Sequence, residues 1–98
     1  MTADLRAELA ANLDQAEWSW LLPHVERDVV VVVTPALDLL DVGVAIASDH
    51  VLLVQRWISE GLIQKPDPAQ VSNWNQNPNI SFLALIVQPY VLVQPGMD

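Results

Sequence analysis

Cysteine is absent from this 98-residue sequence, which excludes a disulfide framework, a thiolate nucleophile, a zinc ribbon and a cysteine-held iron–sulfur cluster. Basic residues are scarce: 4 Lys and Arg stand against 12 Asp and Glu, a formal net charge of −8. Arg6, Arg27, Arg56 and Lys65 are dispersed along the chain, so no local cluster offsets the repulsion of a phosphate backbone or an anionic lipid surface. No nucleic-acid binding is expected. Glycine occurs 3 times, at positions 43, 61 and 96, and none of these builds a phosphate-cradling loop; no serine sits in a nucleophile elbow. Long apolar runs are missing as well. The runs 29–33 and 82–87 fall far short of the ~18 residues of a membrane span, so no membrane insertion is expected. Asp4, Arg6 and Glu8 interrupt the N-terminal stretch, which therefore does not read as a signal peptide. The expected location is cytoplasmic.

What is present is a chain with 52% hydrophobic residues, and residues 1–98 read as a single domain. Leu5, Leu9 and Leu13 recur at the helical spacing of four, with Thr2 as the N-cap. Asp14 and Glu17 have the spacing of a capping box ahead of Trp18, Leu21, Leu22 and Val25, which predicts a second helix, shortened or kinked by Pro23. Val29 to Val33 are β-branched in an unbroken run, which predicts a strand covered on both faces. Its partner is the C-terminal segment, strand-like over 82–87 and 91–93 with Gln88-Pro89 between. Between these lies an αα-hairpin. Asp38 caps a helix that buries Leu39, Val42, Ala45 and Ile46; Asp49 caps one that buries Val51, Val54, Trp57 and Ile58, closed by Gly61. Asp67 and Pro68 open a short helix carrying Val71 and Trp74, and residues 73–79 read as a polar, turn-rich loop. The predicted fold is α+β: a small two- to three-stranded sheet, residues 29–34 with 81–94, packed by four or five short helices. Sheet edges so apolar would invite pairing between copies.

Asp38 and Asp41 are paired carboxylates, suited to acid–base chemistry or to a hard cation. With Asp49 they also stand at helix starts, where capping and the helix dipole favour Asp for structural reasons alone. Arg56 and Lys65 flank the second hairpin helix, where they suit an anionic ligand or pair with a neighbouring carboxylate. His24 and His50 lack the spacing of a zinc site, and neither a metal nor a cofactor is expected. There are 4 Trp beside one Phe and one Tyr. Trp18 and Trp57 fall in phase with apolar stripes and read as core. Trp20 and Trp74, with Tyr90, are the candidates for an interface, against the alternative of burial within the monomer.

Trp18-x-x-Leu21-x-Pro23, Pro35-x-Leu37-Asp38-Leu39, Ala45-Ile46-Ala47-x-Asp49, Val54-x-x-Trp57, Gly61, Lys65 and Pro89-x-Val91-Leu92-Val93-Gln94 together resemble a family of bacterial proteins of about this length catalogued as a domain of unknown function. The resemblance covers nearly the whole chain. It implies a stand-alone cytoplasmic protein and supplies no activity, cofactor or catalytic residue. The function expected from the residues is a non-catalytic protein-interaction or regulatory module that binds a protein partner or a second copy of itself. The alternative is a small-ligand or cation-binding protein, or an enzyme, using Asp38, Asp41, Asp49, Arg56 and Lys65.

Overall fold

The structure, a computed structural model, describes residues 2–95, with side chains from Leu5 onward. The element order is α1 (Thr2–Ala11), β1 (Asp14–Glu17), α2 (Trp18–Glu26), β2 (Val30–Val33), α3 (Leu39–Ala47), α4 (Val51–Ser59), β3 (Ile63–Gln64), α5 (Pro68–Gln76), β4 (Ser81–Val87) and β5 (Tyr90–Pro95). The N-cap expected at Thr2 lies outside the described side chains.

The sheet is larger than the sequence suggests: five strands in the order β1-β4-β5-β2-β3. β2 runs parallel to β5, with Val30 opposite Val91 and Val32 opposite Val93, and the other pairs are antiparallel. The two added strands are those that composition hides. Asp14 and Glu17 do not form a capping box; they are the ends of β1, paired with Ala84 and Ser81, and α2 starts at Trp18 behind a Glu17 that makes no side-chain cap bond. β3 is only two residues long. The strongly apolar strands are consequently central, and the expectation of apolar sheet edges is overturned. One edge is the polar β1, where the Asp14 Oδ1 accepts the Gln15 backbone N–H at 2.7 Å; the other is the short β3. Polar and very short edges are the usual means by which sheets avoid pairing with one another.

Both faces of β2 are covered, as its unbroken valines predict. Val30 and Val32 join Trp18 and Leu21 of α2, Trp74 of α5 and Phe82 in one cluster. Val31 and Val33 face the other, with Leu9 of α1, Leu39 and Val42 of α3, Leu85 and Leu92. Helices therefore lie on both faces of the sheet. Three aromatics fill the first cluster, with Trp74 and Phe82 edge to face at 5.0 Å and Trp18 5.3 Å from Trp74. The second is closed by the approach of α3 to β4 at Gly43, where a Cβ would lie 2.5 Å from Leu85 Cδ2.

The helix caps follow the sequence in part. Asp38 accepts the Leu40 N–H at 3.0 Å, and Asp67 forms a full capping box with Gln70, with Pro68 in the first turn. That helix runs on to Gln76, so residues 73–76 are helical where a loop was expected.

Candidate functional site

Three helices end in one hydrogen-bonding pattern. After α3, the Asp49 N–H donates to Ile46 O at 3.2 Å and the His50 N–H to Ala45 O at 2.9 Å. The equivalent bonds close α2 at Asp28 and Val29 and α4 at Gly61 and Leu62. This closure requires a left-handed residue, which costs a side-chain-bearing residue free energy and glycine little. Gly61 (φ 73°) fills it as predicted, whereas Asp28 (φ 64°) and Asp49 (φ 58°) fill it with aspartate. Asp49 therefore ends α3 and does not cap α4. The N-cap of α4 is His50, without a side-chain cap bond. Unlike Asp38 and Asp67, Asp49 makes no side-chain hydrogen bond or ion pair among the described residues.

Among the described residues, α4 is the one helix without a buried side chain. It packs on α3 and beside β3 and has no fully buried residue. Val54 and Trp57 are partly buried, but Val51 (54% exposed) and Ile58 (57%) are open, against the expectation that this stripe is core. A cleft of about 540 Å³ opens between α4 and the sheet. Val31, Ile63 and Tyr90 line it from the sheet, Ala45 and Ile46 from α3, and Val51, Val54 and Ile58 from α4; Asp49, His50, Gln55, Gln64 and Lys65 supply its polar lining.

The five charged candidates do not converge. Asp38 and Asp41 bind Arg6 of α1, Arg6 Nη2 lying 3.3 Å from Asp38 Oδ2 while Nη1 donates to Asp41 Oδ1. The hydrogen bond to Asp41 raises the guanidinium pKa above its ordinary value, opposed by desolvation and reinforced by the charges of Asp41 and Asp38. Arg56 pairs with Glu60 one turn along, at 3.3 Å, and Lys65 pairs with Asp28. Only Asp49 and Lys65 reach the cleft.

Of the aromatic candidates, Tyr90 (42% exposed) lines the cleft and Trp20 (42%) lies elsewhere, against His24 at 4.7 Å. Trp74 is 4% exposed and belongs to the core, so it is not an interface residue: its ring closes the Trp18–Phe82 cluster. Among the described residues, no group of three or more His, Cys, Asp or Glu is placed to hold a metal ion, and no helix is long and apolar enough to cross a membrane.

Comparison with known proteins agrees with this fold. The chain is similar to PA1075 from Pseudomonas aeruginosa, whose NMR solution structure superposes with a TM-score of 0.81 at 27% identity, covering 98% of this chain and 88% of that one. No curated protein matches it. Residues 4–95 match the family model described as protein of unknown function (DUF2288), and with nearly its whole length inside that model the chain belongs to this family.

Proposed function

We propose that this protein is a non-catalytic interaction module whose binding surface is the cleft between α4 and the sheet. The observation that carries the reading is the exposure of Val51 and Ile58 on a helix with no fully buried residue, beside an open apolar cavity. Apolar side chains left open around a concave, polar-rimmed surface are the usual mark of a docking site. The charged candidates support a binding role over catalysis, since Asp38, Asp41 and Arg56 are engaged in exposed ion pairs away from the cleft. The test is a paired capture from native extract with the wild-type chain and a Val51→Ser/Ile58→Ser variant. A protein retained by the first and lost by the second is the expected result; retention by both, or by neither, contradicts the reading.

A second reading rests on the cleft volume, which lies within the ~300–1,000 Å³ range of small-molecule sites. Asp49 and Lys65 would then orient an amphiphilic ligand. Thermal shifts with small amphiphiles that vanish in Asp49→Asn and Lys65→Ala, without any protein capture, would favour it.

A further inference from the structure

Resting on that proposed docking role, we infer that the cleft takes a basic amphipathic helix of another protein and not a second copy of this chain. The unpaired charge at the cleft is one-sided. The lysine that lines the cleft, Lys65, is already matched by Asp28, and Arg56 on α4 by Glu60, whereas Asp49 lines it with no partner of its own among the described residues. An incoming lysine or arginine meets an unmatched carboxylate; an incoming carboxylate meets no free cation. Beyond the cleft the whole chain carries −8, which attracts a basic partner over a Debye length and opposes a like-charged copy. A two-fold contact through this face would also bring two clefts together, each with its own Asp49.

The shape of the surface favours a helix. Val51, Val54 and Ile58 form one ridge along α4, and the cavity beside it accepts apolar side chains spaced three and four apart on a facing helix. Strand addition is poorly served: β3 offers two residues, and Asp14 already occupies the Gln15 N–H of β1.

The experiment uses three fluorescein-labelled amphipathic peptides with one leucine stripe and with all other positions lysine, glutamine or glutamate. Anisotropy titrations at low salt are expected to rank lysine above glutamine by about tenfold, with glutamate weakest, and the gap is expected to narrow as salt screens it. Asp49→Asn should shrink the lysine preference severalfold. Val51→Ser/Ile58→Ser, which leaves the net charge unchanged, should abolish binding of both the lysine and the glutamine peptide. Equal binding of lysine and glutamine peptides that the serine variant abolishes would overturn the basic partner and leave the docking cleft standing. Lysine-peptide binding that survives the serine variant would overturn both. Sedimentation showing a dimer of the wild-type chain that the serine variant dissociates would overturn the exclusion of a second copy.

Discussion

Replacing Gly43 by alanine sets two effects of known size against each other. Gly43 lies inside α3, where alanine is favoured over glycine by about 1 kcal/mol. Propensity alone therefore predicts a more stable protein. The added Cβ, however, would lie 2.5 Å from Leu85 Cδ2 and 3.4 Å from Val87 Cγ2, while carbon atoms rest comfortably at about 3.5–4.0 Å. Leu85 is fully buried and Val87 is 6% exposed, so neither can swing into solvent. Either Leu85 leaves its rotamer or α3 lifts from β4. Overpacking of this kind costs about 1–3 kcal/mol. Set against the helix gain, it leaves a net loss of about 0–2 kcal/mol, and each kcal/mol lowers Tm by about 4–8 °C in a domain of this size. Urea unfolding followed by circular dichroism would read this as a lower midpoint at unchanged slope. Leu85→Val makes room, so the Gly43→Ala/Leu85→Val pair should lose less than the two single variants together, by about 1 kcal/mol. A higher Tm for Gly43→Ala, or strict additivity in the double variant, would refute the close approach of α3 to the sheet.

The left-handed helix ends make an opposed pair of expectations: Asp49→Gly should stabilise by about 0.5–1 kcal/mol and Gly61→Ala, which has open space around its Cβ, should destabilise by about 1 kcal/mol through backbone conformation alone. Thermal melts check both. The Trp18 indole N–H donates to Asn75 Oδ1 at 2.8 Å across a part-buried contact, so Asn75→Ala should cost about 0.5–1.5 kcal/mol in a chemical melt. Arg6→Gln should lower the urea midpoint slightly at low salt and not at high salt. Because the Arg6 pKa is raised in the folded chain, its contribution is complete below the ordinary arginine value and is lost only as pH rises through the raised one; a midpoint-versus-pH series should show no step from it near neutrality.

How far the residues reveal the fold depends on whether one local signal has one structural meaning. The valine run of β2, the Asp38 cap, the Asp67 cap and Gly61 each have a dominant local reading, and the structure follows it. Asp49 does not. Aspartate suits both a helix N-cap and a left-handed position, and with α3 and α4 joined through residues 48–50 the two roles fall on neighbouring residues. β1 carries no strand propensity at all: Asp14 to Glu17 is extended because β4 offers it a ladder, which is a tertiary cause. The cleft was hidden for a related reason. Periodicity places Val51, Val54 and Ile58 on one face of α4, but it does not say whether a neighbour covers that face. Tyr90 was singled out, yet only the β4–β5 turn brings it beside that helix face. Trp74 reads as a surface residue because it adjoins a polar, turn-rich stretch, and only the packing of α5 on the sheet shows that its ring points into the core.

The central claim is that the face between α4 and the sheet is a docking surface. It is tested most directly by methyl NMR of the labelled chain during titration with the leucine–lysine peptide. Shifts confined to the methyl groups of Val31, Ala45, Ile46, Val51, Val54, Ile58 and Ile63, with the Tyr90 ring following, are the predicted result. Shifts centred on Ile86 and the Trp20 ring, or no saturable shifts at all, would contradict it.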